Sequence, residues 1–257
     1  MQSRGVPPVP SLLRCCFSLG AAILAGACTH DSVVWGAAEY VDVARAAAVA
    51  EPGIVQQERL CGVAEVALGS ERYRAGWDAR SGALAVMRSP DGGRSWDAPA
   101  VPDSRASPEP PCSRLPPALF ADSGNGFLHV AYFSEVSGGP GVYYVHSMDA
   151  TRLAQIGPGM FERPIALTYG RRAVRTSVAS RGDTVVVAYE DPNSARGGIQ
   201  LAISSTAGHS FDSRSVLPGG TGAVGEPRVE LSAGQLSVTA RELTDAARLL
   251  RRRGSFR

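Results

Sequence analysis

The sequence predicts an all-β chain built from a repeated four-stranded unit, and three observations carry that prediction. Turn motifs opening with Ser begin at 89, 147 and 204, a spacing of about 57 residues. Before each turn runs a strand-like segment with an aromatic near its end: Ala75-Gly76-Trp77, Val130-Ala131-Tyr132 and Val187-Ala188-Tyr189. After each of these comes a second β-rich run, Ala83 to Met87, Val142 to His146 and Ile199 to Ile203. Runs of this length, bounded by Gly, Pro, Asn and Asp, have the character of strands and hairpins rather than helices.

Residues 1–27 carry Arg4 and Arg14, no acidic residue, and the short apolar stretch from Cys15 to Ala25. A cationic start, an apolar core and then small residues form the layout of a secretory signal peptide. That core is too short for a permanent span, which needs about 20 apolar residues. Leu24-Ala25-Gly26-Ala27-Cys28 resembles the lipobox of bacterial lipoproteins. The resemblance implies that Cys28 is acylated and anchors the protein to a membrane it does not span. An ordinary Ala-Gly-Ala cleavage site is the alternative. Thr29 is not the Asp associated with inner-membrane retention, which points to the outer membrane or periplasm of a bacterium.

Residues 28–58 read as a linker. Asp42 to Ala50 suits a short helix stopped by Pro52-Gly53, whereas Val33 to Trp35 and Tyr40 to Val43 suit a strand that folds back to close an edge. Repeat units follow at Arg59 to Pro102, Cys112 to Pro158 and Arg172 to Pro218, with the Pro- and Ser-rich Asp103 to Pro111 as a linker. Thr184 to Tyr189 is apolar nearly throughout, as expected of an inner strand covered on both faces. A fourth unit begins at Glu226 to Glu230, with Leu236 to Arg241 as its second strand. The same offset places its turn near Ser255. The expectation is three and a half units in 59–257, with an open edge and a truncated gene product as one explanation.

The 257 residues are 44% hydrophobic, enough for a sizeable core, and the net charge of +2 gives no reason to expect a nucleic-acid partner. All 26 basic residues are Arg, so a single arginine carries little weight by itself. Of the five cysteines, Cys15 and Cys16 leave with the leader and Cys28 takes the lipid. Cys61 and Cys112 remain, and in an oxidising compartment two such cysteines read as a disulfide.

Ser89-Pro90-Asp91-Gly92-Gly93-Arg94-Ser95-Trp96 fits Ser-X-Asp-X-Gly-X-X-Trp at every defined position. It resembles the Asp-box of the sialidase or BNR-repeat superfamily. Asp91 would cap turn amides, Gly93 would supply a positive φ, and Trp96 would pack under the hairpin. Ser204 to Phe211 keeps Ser204, Gly208 and Phe211 with Thr206 in place of Asp; Ser147-Met148-Asp149 keeps the first half. The resemblance implies a partial or open β-propeller of about three and a half four-stranded blades, where relatives close a ring of six.

Sialidases of that superfamily hold a sugar carboxylate with three arginines, for which bidentate pairing is the physical reason. They use a Tyr-Glu pair as nucleophile and helper, an exception among glycosidases. Arg59, Arg114, Arg175 and Arg228 each stand near the start of a unit's first strand, and Ser113-Arg114-Leu115-Pro116 resembles the family's arginine motif. If the site is active, Arg114, Arg175, Arg228, Tyr189 and Glu190 carry it. Tyr189 and Glu190, however, are chain neighbours on a strand and point to opposite faces. His30, His129, His146 and His209 lack metal-ligand spacing and read as core or surface histidines, so no metal or cofactor is expected. Gly219 to Gly222 lacks the Lys of a phosphate loop, and Arg251-Arg252-Arg253 reads as a solvated terminus. The expected function is a non-catalytic binding or scaffold lipoprotein with a glycan or envelope-protein ligand. A sialidase-like hydrolase and an inactive remnant are the alternatives.

Overall fold

In the computed structural model the described residues are 31–42, 59–105, 107–136, 139–147, 160–195, 197–219 and 223–257. The chain divides into Met1–Asp31 and Ser32–Arg257, and the fold described is that of the second unit. The expected leader, Cys28, and residues 43–50 of the expected helix lie outside the described residues. Among the described residues no helix is long and apolar enough to cross a membrane.

Among the described residues sixteen strands form four antiparallel sheets of four. Blade 1 is β2 (Leu60–Leu68), β3 (Glu71–Asp78), β4 (Leu84–Ser89) and β5 (Ala100–Asp103). Blade 2 is β6 (Ala118–Ala121), β7 (Leu128–Ser134), β8 (Gly141–His146) and β9 (Ile165–Tyr169). Blade 3 is β10 (Thr176–Arg181), β11 (Thr184–Glu190), β12 (Ile199–Ser204) and β13 (Ser213–Val216). Blade 4 takes β14 (Val224–Ser232), β15 (Gln235–Glu242) and β16 (Arg248–Phe256), and its outer strand is β1 (Val33–Asp42). Blades 1 to 3 are meanders of four strands and blade 4 is a three-stranded meander completed by β1, and the inner strands pack in succession: β2 on β6, β6 on β10, β10 on β14. Among the described residues no packing of comparable extent joins β14 to β2. The fold is an all-β, open propeller arc of four blades.

The strands follow from their side-chain alternation. In β11, Val185, Val187 and Tyr189 enter the core shared with blade 2, while Val186 and Ala188 enter the core shared with blade 4. Both faces are buried, as the apolar run predicts. Each fully buried valine contributes on the order of 1.5–3 kcal/mol. A third core, built on Tyr73, Trp77, Leu128 and Tyr132, joins blades 1 and 2. Trp77 meets Tyr132 edge-on at 5.8 Å, and the Tyr132 hydroxyl donates to Asp103 at 2.7 Å. Cys61 and Cys112 form a disulfide that ties β2 to the 3-10 turn Pro111–Ser113 ahead of blade 2.

Blade 4 differs from its expected outline. The half unit that begins at Glu226 is completed by β1, in the register Val33↔Phe256 to Asp42↔Arg248. Asp42 therefore belongs to a strand. No turn forms near Ser255, because that residue lies within β16 and pairs with Val34. Arg251 to Arg253 belong to the same strand and are no loose terminus; Arg252 donates to the Gly36 carbonyl at 2.8 Å. Blade 2 also runs past Pro158, to Tyr169, and its first strand starts at Ala118 rather than at Cys112. Both of its outlying strands are short, which hides them from periodicity.

Candidate functional site

One end of the arc gathers the starts of the inner strands and the ends of β3, β7 and β11. Arg114 lies here, but its guanidinium is buried over Trp77, 4.9 Å from the ring centroid. It donates to the carbonyls of Gly82, Ser107 and Glu109. Backbone acceptors occupy the group that the sialidase resemblance assigns to a substrate carboxylate, so Arg114 acts as a staple between blades 1 and 2. Arg59 pairs with Asp78 at 3.3 Å.

Between blades 3 and 4 the charges pair with one another. Glu226 sits at a register shift in β14 with φ of 50°. Its carboxylate takes Arg241 at 2.7 Å and Arg175 at 3.8 Å, and its backbone N–H donates to Glu190 Oε1 at 2.8 Å. The second oxygen of Glu190 faces Arg172 at 3.6 Å. A Cβ at Gly225 would come within 2.9 Å of Glu190 Oε1, so glycine permits this approach. Tyr189, next to Glu190, is buried in the core between blades 2 and 3, and burial raises its pKa. The structure thus brings Arg175 and Glu190 into one cluster around Glu226, turns Tyr189 away from it, and leaves the Arg228 side chain exposed on β14.

Beside the cluster, an open cleft of about 840 Å³ lies between blades 2 and 3. Gly139, Pro140, Tyr169, Gly170, Arg171, Pro192 and Asn193 line it. Tyr169 is 61% exposed, an unusual degree for a large aromatic. Asn193 holds its carbonyl at 2.8 Å. A Cβ on Gly139 would fall 2.6 Å from the Tyr169 ring, and one on Gly170 would fall 2.6 Å from Pro192, so the walls are glycine by necessity. Sequence reasoning missed Tyr169 because it closes an outer strand beyond the expected boundary of its unit.

The turn residues lie at the opposite end. Asp91 Oδ1 accepts the N–H groups of Arg94 and Ser95 at 2.9 and 2.8 Å, Gly93 has φ of 101°, and Ser89 Oγ takes the Gly93 N–H at 2.7 Å. Trp96 stacks on the Arg74 guanidinium at 4.0 Å. In the turn after β12, Thr206 Oγ1 accepts the Ser210 N–H at 3.0 Å, the part played by Asp91 in blade 1. Ser204 Oγ takes the Gly208 N–H at 3.0 Å, and Phe211 meets Tyr144 edge-on at 4.8 Å. Ser147 Oγ instead accepts the Leu128 N–H at 3.0 Å; Asp149 lies outside the described residues. Three of the four histidines converge here: His129, His146 and His209. Burial pushes His129 down to about 3 and His146 to about 4, so both are neutral imidazoles at pH 7.

No family model matches the sequence, and no curated protein does. Similar solved structures include Bacteroides ovatus xyloglucan PUL GH43B, with a TM-score of 0.47 and 15% identity, covering 77% of this chain and 39% of that one. Trypanosoma rangeli sialidase, in complex with the inhibitor DANA, has a TM-score of 0.46 and 12% identity, covering 72% of this chain and 34% of that one. For Cellvibrio cellulosa alpha-L-arabinanase the values are 0.43 and 13%, covering 74% and 72%. The chain therefore spans 39% and 34% of the first two proteins' lengths. Sialidases and GH43 proteins are thus among the solved structures to which the chain is similar.

Proposed function

We propose that the chain is an exported, lipid-anchored propeller that binds a glycan or an envelope protein and does not catalyse. The observation that carries this reading is the internal pairing of the charged groups at the inner-strand starts. Arg175 and Arg241 share Glu226, and Glu190 is engaged by the Glu226 N–H and by Arg172. A carboxylate clamp needs arginines free to meet a ligand bidentately, and a nucleophile must reach the reacting atom. Beside this internally paired cluster, the exposed Tyr169 ring in a glycine-walled cleft supplies an apolar platform with a wet edge, the surface on which a sugar ring can stack. Anchoring through Cys28 at the outer membrane or in the periplasm would hold this surface toward envelope ligands.

The test pairs hydrolysis with binding. Purified protein is expected to leave a fluorogenic sialoside uncleaved while retaining glycans on an array, and Tyr169→Ala is expected to weaken that retention at least tenfold. Robust hydrolysis, lost on changing Arg175 or Arg228 to Ala, would replace the binding reading with a sialidase-like hydrolase. Metabolic labelling with a fatty-acid analogue should mark the protein and should fail on Cys28→Ser. An exported but unlabelled wild type would leave simple secretion.

A further inference from the structure

At the end of blades 2 and 3 remote from the cleft, three chemistry-bearing side chains from separate segments meet. β8 starts beside the cleft at Gly141 and ends at His146. Glu162 follows an isolated bridge between Ser147 and Phe161, and its N–H donates to the His146 carbonyl at 3.1 Å, which fixes it beside the imidazole. His209 comes from the turn of blade 3. That turn is pressed so close to blade 2 that a Cβ on Gly208 would fall 2.0 Å from the Tyr144 hydroxyl.

His209 Nδ1 lies 2.8 Å from Glu162 Oε1, His146 Nε2 lies 4.0 Å from Glu162 Oε2, and the two imidazoles meet edge-on at 4.8 Å. His146 is 0% exposed, and neither ring nitrogen has a hydrogen-bond partner among the described residues. A buried polar atom without a partner destabilises the fold, so a group that accepts the His146 Nε2 lone pair would stabilise this arrangement.

The geometry points to a divalent transition-metal site of the zinc class, made by His146 Nε2, a Glu162 oxygen and His209 Nδ1, with a fourth position open to water. Two imidazoles and one carboxylate are a donor set that zinc accepts, with bonds of about 2.0–2.2 Å. Imidazole donors favour zinc, copper or nickel over the oxygen-seeking calcium and magnesium. The three ligand atoms already lie within 4.8 Å of one another, against about 3.3 Å in a tetrahedral zinc site. The remaining closure falls to the groups free to move. Glu162 is one-third exposed and His209 half-exposed, whereas His146 is held by the core. Nδ1 of the neighbouring His129 shares a hydrogen bond of 2.6 Å with the Tyr144 hydroxyl, and its ring is stacked 6.1 Å from His146. A metal here would clamp blade 2 to blade 3 at the end opposite the cleft, independently of any ligand bound there.

Titrating the untagged, chelator-stripped full chain with Zn²⁺ by calorimetry tests the site. The expected result is one equivalent bound and a raised thermal midpoint, with no response to Ca²⁺ or Mg²⁺. Co²⁺ should give the visible bands of a low-coordinate ion. Because His209 and Glu162 reach solvent, His209→Ala and Glu162→Gln should fold, and each should weaken Zn²⁺ binding at least tenfold and abolish the thermal shift. Absence of Zn²⁺ binding, or binding unchanged in both variants, would overturn the assignment.

Discussion

The turn after β12 shows how little chemistry a hairpin needs to keep its shape. Thr206 replaces the carboxylate of the first turn with a hydroxyl and still accepts the Ser210 N–H, so the motif's geometry outlives its charge. Its neighbour Ala207 fits less well, with φ of 54° where the first turn has Gly92 at 75°. A left-handed alanine costs about 1–2 kcal/mol, and the methyl it buries returns about 0.8 kcal/mol at most. Ala207→Gly should therefore raise the thermal midpoint, by about 0.5–1 kcal/mol of stability. Gly208→Ala, one residue on, should lower it through the clash with Tyr144. Asp122 permits a test with pH. Burial works to raise its pKa, but hydrogen bonds from Ser180 Oγ at 2.6 Å and from the Gly124 and Gly182 N–H groups outweigh it and hold the carboxyl below the usual range. A depressed folded value means that its contribution is complete above about pH 4 and disappears as the pH falls through that folded value. Asp122→Asn should cost about 1.5–3 kcal/mol at pH 7, with a penalty that shrinks below pH 4. Urea midpoints measured at both pH values check this, and an equal loss at each would remove the carboxylate from the account. At this scale the sequence was legible where a residue type has one use: Ser89, Asp91 and Gly93 announce a turn. Arg114 was not, because guanidinium serves a carbonyl as readily as a carboxylate.

Among the elements, the second and third strands of blades 1 to 3 were readable, since each is an apolar run or, in β3, an alternation ending on an aromatic, closed by glycine or a polar turn. The outer strands β5 and β13 have four residues each and alternate with solvent, so they leave too short a trace. β1 was legible only as an answer to an edge left open, and the structure uses it in that way. Gly254 makes room for it: a Cβ there would fall 2.4 Å from Val33 Cγ1. Trp35 carries the strand across to blade 3 through a hydrogen bond to Ser215 Oγ at 3.2 Å. Removing residues 33–42 should expose the β16 amides to rapid hydrogen exchange and promote self-association through that edge. Gly254→Val should do the same more mildly, while exchange in blade 1 stays unchanged. Uniform loss of protection in both variants would mean that β1 supports the whole arc rather than blade 4.

For the molecule as a whole, Cys61–Cys112 bridges two blades and closes a separation of 51 residues. In the chain-entropy model a loop of that size contributes about 4 kcal/mol. Replacing both cysteines with serine should lower the stability by that order, read from denaturant midpoints under oxidising conditions. The pairing could be anticipated by counting cysteines, whereas the candidate site could not be read in the same way. Arg175, Glu190 and Glu226 meet only once blades 3 and 4 pack, and His146, Glu162 and His209 have no common spacing along the chain. Their meeting is a property of the arc. The location of β1 also imposes an order in time. Gly36 waits for Arg252, 216 residues later, so the first of the described strands to be synthesised has no partner until the last of them. Pairings of such long range form slowly because loop closure precedes the gain. Pulse-labelled exchange during refolding should find β7, β8, β11 and β12 protected early and β16 last, with β1 carried until then as an unpaired apolar strand. A chain that carries residues 33–42 unpaired for so long is therefore expected to lose refolding yield as the protein concentration rises.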